Sequence, residues 1–326
     1  MTAPVARQGR AGLASLDIII VNWNTGTLLR DCLGSISQAR TAGFRLERVV
    51  VVDNDSADGS TDGLEHLSEQ PISFLRNDVN QGFAAACNQG AAGTQADYLL
   101  FLNPDTRVFS DSLWRPLEFL EQKQNSKFGI CGVRHVDDSG AFSTSCARFP
   151  TLRIFFGQMT GLSRLLPTWF PSHLMLEAEC LESREVDQII GAFFLVRRTL
   201  FEALGGFDPR FFVYFEEVDF SLRARQEGFR SYYLAATTVY HKGGGSSQQA
   251  KATRLFYSLR SRLLYGFKHY SFLDAFALAL LTVSIEMAAR LLAALGSLSL
   301  SKLVETVQGY SALFVCLCTK RLRWRS

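Results

Sequence analysis

The hydrophobic pattern of the first hundred residues is typical of buried strands that alternate with helices. Four short runs are predominantly apolar: residues 16–21, 46–52, 72–76 and 98–102. Helical stretches are predicted between them, around residues 26–39 and 82–93. Because these strands do not alternate between apolar and polar positions, both faces of their sheet should be covered by helices. The pattern therefore predicts an α/β fold with a central, mostly parallel sheet.

The next part of the chain continues this pattern less regularly. Residues 189–197 predict another buried strand with a helix after it, residues 216–228 a helix that ends at glycine, and residues 231–240 a strand. Residues 134–185 are rich in Phe, Leu, Arg and Pro and give no clear element.

The composition changes after the glycine-rich segment 243–247. We therefore divide the chain into a disordered N-terminus (1–15), an α/β domain (16–249) and a basic, apolar, helical C-terminal region (250–326).

Charge is distributed unevenly over the 326 residues, which carry a formal net charge of +3. The C-terminal region has eleven Lys and Arg against three acids, a net +8, which leaves −5 for residues 1–249. An acidic domain excludes nucleic acid as a natural partner, whereas an anionic membrane surface fits the basic C-terminal region. A hydrophobic fraction of 47% excludes a disordered chain.

The C-terminal region has two uncharged stretches of eleven residues, 275–285 and 291–301. A spanning helix needs about 20 apolar residues, and a single span across both would bury Glu286 and Arg290. We therefore expect helices that lie in the cytoplasmic leaflet, with the basic residues 320–325 as an anchor. A helical appendage packed on the domain or on a partner subunit is the alternative.

The cysteines and the N-terminus indicate the compartment. Seven cysteines lack any CxxC spacing, so we expect all of them to be small buried side chains in a reducing cytosol. No apolar stretch precedes residue 16, so no signal peptide is predicted. The expected location is cytoplasmic, peripheral to the inner face of the plasma membrane.

Polar residues follow three of the predicted strands. Asn22 and Asn24 follow the first, residues 53–55 the second and residues 103–105 the fourth. Ligands of parallel sheets bind at the carboxyl ends of strands. Asp53 is placed to accept a hydrogen bond from a ribose or base, although its segment equally fits a turn. Asp105, in Asn-Pro-Asp, is placed to bind a divalent cation, although this tripeptide is also a common turn.

Three acids lie within four positions at the start of the predicted helix 216–228: Glu216, Glu217 and Asp219. Acids in a first helical turn are favoured by the helix dipole. Aromatic neighbours and adjacent like charges, however, raise a carboxyl pKa toward that of a general base, and we favour this interpretation. His241, at a strand end before a glycine run, is a candidate metal or phosphate ligand. The other four histidines are expected to be structural or surface residues.

Two common nucleotide motifs are missing. No GxGxxG follows the first strand, which disfavours a dinucleotide oxidoreductase, and no GxxxxGK[ST] occurs, which excludes a P-loop NTPase.

In their order along the chain, several segments together resemble the family 2 inverting glycosyltransferases with a GT-A fold, and most closely the bacterial rhamnosyltransferase-like branch. The segments are IIIVNWNTGTLLRDCLGSI (18–36), VVVVDNDSADGS (49–60), NDVNQGFAAACNQG (77–90), YLLFLNPDT (98–106), residues 191–228 and VYHKGGGSS (239–247). The resemblance covers about residues 16–247.

The resemblance implies a role for each matching residue. The nucleotide-binding residues would be Val21, Asn22, Asn24, Asp53, Asn54, Asn80, Gly82 and Asn103. Asp105 and His241 would bind Mn²⁺ or Mg²⁺. Glu217 occupies the position of the catalytic base, where the family usually has Asp, and its side chain is one methylene longer. Glu216 and Asp219 are the fallback candidates for the base.

The function implied by the resemblance is the inverting transfer of a sugar, with rhamnose as the expectation for this branch. The donor would be a dTDP-, UDP- or GDP-linked sugar, and the acceptor a lipid-linked or polysaccharide chain in cell-surface glycan synthesis. The Glu217 departure motivates an alternative, a non-catalytic sugar-nucleotide-binding or scaffold subunit of a polysaccharide assembly complex. A nucleotidyltransferase is disfavoured because the expected Gly- and Lys-rich phosphate loop is missing.

Overall fold

The computed structural model describes residues 12–40, 43–64, 72–243 and 251–319. The N-terminal third forms the parallel part of the fold, and strands alternate with helices there. Its elements are β1 (Ala14–Asn22), α1 (Leu28–Gln38), β2 (Phe44–Asn54), β3 (Ile72–Asn77), α2 (Phe83–Ala91) and β4 (Tyr98–Leu102). Strand β1 lies between β2 and β4, and β3 lies outside β2, all in parallel. The predicted parallel sheet is confirmed here.

The middle of the chain extends this sheet with both parallel and antiparallel strands. Its larger elements are β5 (Thr106–Val108), α3 (Trp114–Glu121), β6 (Phe128–Val136), α4 (Leu152–Thr160), β11 (Phe193–Arg197), α6 (Arg198–Ala203), α7 (Glu216–Gln226) and β12 (Arg230–His241). The sheet order is β3-β2-β1-β4-β11-β6-β12-β5. Strand β11 is antiparallel to β4 and β6, whereas β12 is parallel to β6.

Short elements fill the segment that the sequence left unassigned. They are β7 (Phe142–Ser143), β8 (Cys146–Ala147), α5 (Leu162–Leu165), β9 (Arg184–Val186) and β10 (Gln188–Ile189). The prediction of one strand over 189–197 is wrong. Residues 188–189 pair with β8 in a separate two-stranded sheet, and only residues 193–197 join the main sheet. Strand β1 also begins at Ala14, inside the segment expected to be disordered, whose first eleven residues lie outside the described ranges.

Both faces of β1 and β4 are buried, which explains their predominantly apolar sequence, whereas the outer strand β3 is half-buried. Ile18 and Ile20 of β1 join one core cluster with residues of α1, whereas Ile19 and Val21 join a second cluster with residues of α2, so that helices cover both faces. Asp17 is a buried exception within β1, and its carboxylate pairs with Arg48 at 2.6 Å and accepts from Thr94 at 2.7 Å.

Four helices follow the glycine-rich segment, of which only Gly243 is described. They are α8 (Lys251–His269), α9 (Phe272–Leu281), α10 (Met287–Gly296) and α11 (Leu300–Cys318). Helix α8 packs on the α/β domain, because Arg260 donates to the carbonyl of Arg210 at 2.9 Å and Ser261 to that of Val213 at 2.8 Å. The first C-terminal helix is therefore fixed to the domain, as the appendage alternative expected.

Helices α9 and α10 are joined by a π-helical turn, Thr282–Glu286, into one continuous helix, Phe272–Gly296. This helix of 25 residues is long and apolar enough to cross a membrane by length and composition. About a fifth of its most apolar 18-residue stretch is buried within the protein. The helix therefore runs through both charged positions, 286 and 290, and joins the uncharged stretch 275–285 to the first part of 291–301. Glu286 is buried and pairs with Arg290 at 2.9 Å and with Arg262 of α8. The polybasic residues 320–325 lie outside the described ranges.

Six of the seven cysteines are buried, as expected. Cys318 is exposed, so the prediction is wrong for this residue, which lies at the end of α11.

Candidate active site

The carboxyl ends of β1 and β2 bring the first predicted site residues together. Asn22 lies opposite Asp53 in the parallel register, and its amide donates to Asp53 Oδ1 at 3.0 Å. The same amide donates to Ser60 Oγ at 2.8 Å. Asn22 therefore ties the strand end to the turn after β2. Val21 is buried in the core beneath this point, so its side chain does not face the site.

Asn24 fixes the same turn from the other side. Its backbone N–H donates to Ser56 Oγ at 3.0 Å, and its side-chain oxygen accepts from the N–H of Ala57 at 2.8 Å. Asn24 has φ +51°, a left-handed conformation that Asn tolerates better than most residues. The turn chemistry that the sequence after β2 fits is thus present, and the turn lies at the carboxyl ends of β1 and β2, where a substrate cleft is expected.

Asn54 and Asn80 connect β2 to the start of α2. Asn54 donates to Asn80 Oδ1 at 2.9 Å, and that oxygen also accepts from the N–H of Gly82 at 2.9 Å. Gly82 has φ +88°, and a Cβ there would lie 2.6 Å from the carbonyl oxygen of Phe212. Only glycine fits this close approach. The expected nucleotide side of the cleft is therefore in direct contact with the loop that precedes α7.

Asp105 and His241 meet where β5 pairs with the end of β12. His241 lies opposite Thr106, and its Nε2 is 3.4 Å from Asp105 Oδ1. Both side chains are largely buried, and the buried ring of His135 packs edge-on against His241 at 5.5 Å between ring centroids. Burial, followed by the charge of His241, lowers the pKa of His135 to about 3. His135 is therefore structural, as expected.

This pair fits a cation that a substrate helps to bind. Among the described residues no cluster of three or more His, Cys, Asp or Glu could by itself hold a metal ion. One carboxylate and one imidazole are nevertheless a suitable protein contribution for a divalent cation whose other ligands are phosphate oxygens and water. The donor set thus agrees with the metal site implied for Asp105 and His241.

Helix α7 begins with an unusual backbone. Tyr214 and Phe215, directly before it, have φ of +67° and +71°, which is rare for bulky residues and indicates strain. This turn directs Glu217 toward Gly191, where a Cβ would lie 3.9 Å from the carboxyl carbon of Glu217. The adjacent Ala192 carbonyl accepts from the N–H of Asn103 at 3.0 Å. The segment Gly191–Ala192 thus lies beside Glu217 and accepts a hydrogen bond from Asn103.

Glu216 and Glu217 are poorly compensated carboxylates. Each has a buried oxygen, Oε2, without a hydrogen-bond partner in the described part of the chain. Burial raises the pKa of Glu217 to about 7. Burial and, secondarily, the charge of Glu217 raise the pKa of Glu216 well above its usual range. Glu217 therefore has the proton affinity of a general base at neutral pH, while Glu216 stays protonated.

Asp219 is in the opposite situation. Its fully buried carboxylate binds Lys268 Nζ at 2.6 Å, His269 Nε2 at 2.7 Å and Arg223 Nε at 2.8 Å. Burial alone would raise the pKa of Asp219, but the hydrogen bond from His269 and the two cations outweigh it, and the pKa is lowered. Asp219 is a structural anchor for α8, which argues against its use as a fallback base. His269 is its structural partner.

Two site residues were missed by the sequence analysis. Gly191 lies beside the Glu217 carboxyl group, and Phe212 closes on Gly82. Both lie in the segment 191–228 that carries part of the family resemblance. Only the three-dimensional structure shows which residues they contact.

Comparison with known proteins identifies the family of this chain. Residues 17–205 match the model of the family described as "Glycosyl transferase family 2". The N-acetylglucosaminyl-diphospho-decaprenol L-rhamnosyltransferase of Mycobacterium tuberculosis is 28% identical over 74% of this chain and 80% of its own. Rhamnosyltransferase WbbL of Escherichia coli is 27% identical over 62% and 73%, respectively.

The mannosyltransferase PcManGT from Pyrobaculum calidifontis, solved in complex with GDP-Man and Mn²⁺, is similar in fold. Its TM-score is 0.53 at 15% identity, covering 94% of this chain and 76% of that one. The expected GT-A fold is thereby confirmed. Since the family model spans more than half of the chain, the protein is a glycosyltransferase that belongs to glycosyl transferase family 2, in its rhamnosyltransferase-like branch.

Proposed function

We propose that this protein is an inverting glycosyltransferase that moves a sugar from a nucleotide diphosphate to a lipid-linked or polysaccharide acceptor in cell-surface glycan synthesis. The observation that carries the proposal is Glu217, a half-buried residue whose buried Oε2 lacks a partner among the described residues, beside the Gly191–Ala192 segment that also positions Asn103. Asp105 lies two residues after Asn103 in the loop that follows β4. His241 lies at the end of β12, beside Asp105.

The chemistry of Glu217 follows from its environment. The carboxylate takes the proton of an acceptor hydroxyl as that oxygen attacks the anomeric carbon from the face opposite the diphosphate. General-base assistance of this kind contributes about 10²–10⁴-fold in rate. Protonated Glu216 keeps a second negative charge away from this base. A single displacement inverts the anomeric configuration.

Asp105 and His241 are the residues that would hold Mn²⁺ or Mg²⁺. A divalent cation bound there would neutralise the negative charge that gathers on the leaving diphosphate. Their side chains are already close and largely desolvated, so little reorganisation is needed when the donor arrives.

The nucleotide side of the cleft would consist of Asn22, Asn24, Asp53, Asn54, Asn80, Gly82 and Asn103. The internal amide network of these residues is largely neutral, which suits a ribose and a base. The names of the relatives support a rhamnosyl donor and a polyprenyl diphosphate-linked acceptor. We propose dTDP-rhamnose as the first donor to test, followed by UDP- and GDP-linked sugars.

The location that we propose is the cytoplasmic face of the plasma membrane, with peripheral attachment. The exposed apolar side chains of the helix Phe272–Gly296 support this, among them Phe272, Leu273 and Phe276. The basic C-terminal region gives the complementary charge for anionic lipid.

The test is a transfer assay with dTDP-, UDP- and GDP-sugars plus Mn²⁺ and a lipid-linked acceptor, in which released nucleoside diphosphate is measured. We expect turnover with one donor class and its loss in Asp105→Ala. Nucleotide-sugar binding without any turnover, together with unchanged cell-surface glycan in a Glu217→Gln strain, would contradict the proposal and favour the non-catalytic subunit.

A further inference from the structure

A cavity lies between helices α8, α10 and α11. It is lined by residues of those helices and is separate from the candidate active-site residues. Its volume is about 430 Å³. Four cationic side chains line it, Lys251, Arg254, Arg290 and Lys302, against one acid, Glu305. This excess of positive charge on a cavity of the apolar C-terminal region has no role in the proposed transfer reaction.

Two of the four cations are already compensated. Arg290 binds Glu286 at 2.9 Å, and Lys251 lies 3.8 Å from Glu305. Arg254 and Lys302 are exposed, and their charged groups form no ion pair within the ranges that the structure describes. The cavity therefore presents two uncompensated positive charges to whatever enters it.

The floor and the surroundings of the cavity are apolar. Leu255, Ala293 and Ala294 form part of its lining. The neighbouring ridge exposes Leu292, Leu295, Leu298 and Leu300, of which Leu298 is 94% exposed. A cationic recess beside an exposed apolar ridge matches a ligand with an anionic head and apolar chains.

We propose that this cavity binds the phosphate headgroup of an anionic phospholipid, whose acyl chains lie along the apolar ridge formed by residues 292–300. The inference rests on the proposed membrane location and deepens it, because it replaces diffuse attraction with a defined lipid site. Arg254 and Lys302 supply the charge, and Ala293 supplies the space that the headgroup occupies.

Helix α8 places this lipid site close to the reaction site. One side of its first half lines the cavity through Arg254, Leu255 and Ser258. Tyr257, on an adjacent face of the same helix, stacks on Phe212 at 4.4 Å between ring centroids and 10° between planes. Phe212 is the residue that contacts Gly82. Helix α8 thus contacts both the lipid site and the loop beside the candidate active site.

The first test removes the two free charges. The full-length protein is mixed with phosphatidylcholine vesicles that contain about one third phosphatidylglycerol, and the dissociation constant is measured by vesicle co-flotation. We expect Arg254→Ser/Lys302→Ser to weaken binding about 30-fold, while vesicles of phosphatidylcholine alone show little difference. The matched control is Lys123→Ser/Lys127→Ser, which changes net charge equally on the exposed surface of the α/β domain.

The second test separates a built site from diffuse attraction. Ala293→Phe fills the cavity without changing the net charge, and Ala288→Phe adds the same side chain at an exposed position outside the lining. We expect only Ala293→Phe to weaken phosphatidylglycerol binding, by about tenfold. Equal binding by the two phenylalanine variants, or equal losses in both double-serine variants, would overturn the lipid site. So would binding of inorganic phosphate alone, detected by thermal shift, with no preference for phosphatidylglycerol vesicles.

The readouts are independent of catalysis. Hydrolysis of nucleotide sugar in detergent, measured for the same variants, reports on the proposed function. Full hydrolysis with no cavity-dependent lipid binding would remove only the lipid site. Cavity-dependent lipid binding with no turnover under any condition would remove only the transferase proposal.

Discussion

The carboxyl groups on the two sides of helix α7 lie in opposite electrostatic environments. Glu217 faces the cleft over Gly191, and its buried Oε2 lacks a partner among the described residues. Asp219, two positions later, faces α8 and is bound by Lys268, His269 and Arg223. The pKa of Glu217 is therefore raised to about 7, whereas the pKa of Asp219 is lowered. The difference arises from where the cations lie, which the local sequence of α7 does not determine.

The largest expected effect is at the cleft side. Glu217→Gln should lower kcat by about 10²–10⁴-fold, because the variant cannot accept the proton of the acceptor hydroxyl. Nucleotide-sugar affinity should stay unchanged, as measured by titration calorimetry. Glu217→Asp keeps the charge on a side chain one methylene shorter and serves as the control. A Glu217→Gln enzyme with full kcat would show that the two sides of α7 do not differ in function.

The opposite side should respond in stability. Asp219→Asn should lower the free energy of unfolding by about 3–5 kcal/mol, because His269 and Arg223 lose this counter-charge and Lys268 keeps only Asp208, at 2.7 Å. Urea unfolding followed by circular dichroism measures this change. Glu217→Gln is the matched control, and its stability should not fall. Equal losses in both variants would contradict the assignment of Asp219 as an anchor.

Asp105 sharpens the comparison from outside α7. Asp105→Asn should lower kcat about 10²-fold and remove most of the dependence on Mn²⁺. The measurement is turnover as a function of Mn²⁺ concentration, with a chelator as the reference for metal removal. Wild-type turnover that survives the chelator unchanged would argue against a metal at Asp105 and His241.

The smallest effect is the pH dependence of the cleft side. Because the pKa of Glu217 is about 7, kcat/KM should rise about tenfold per pH unit below that value and level off above it. The raised pKa also means that ionisation of Glu217 costs folding stability as the pH rises from its unfolded pKa to about 7. Glu217→Gln should therefore be more stable than wild type above about pH 7 and equal below about pH 4. A flat rate profile, or a stability difference of opposite sign, would remove Glu217 as the base.

The sequence predicted the parts of the molecule that depend on local pattern. The apolar runs of β1 to β4 are visible because helices cover both faces of these strands. The strand-end residues Asn22, Asp53 and Asp105 could be found because they directly follow these apolar runs, although all three are buried.

What could not be predicted depends on long-range contacts. Nothing near Asp219 in sequence shows that Lys268 and His269 will neutralise it from α8. Similarly, the sequence around Glu286 does not show how this buried acid is compensated, because its partner Arg262 on α8 is 24 residues away. Residues 188–189 join a separate small sheet, since their pairing partner is β8.

Helix α8 has a consequence for substrate selection. Its contacts to Arg210, Val213 and Asp219 attach it to the domain by hydrogen bonds and buried ion pairs. If the C-terminal helices lie on a bilayer, the packing of α8 fixes the distance between the bilayer and the reaction centre. A lipid-anchored glycan would react only when its growing end lies at that distance, so chain length itself becomes a selection criterion.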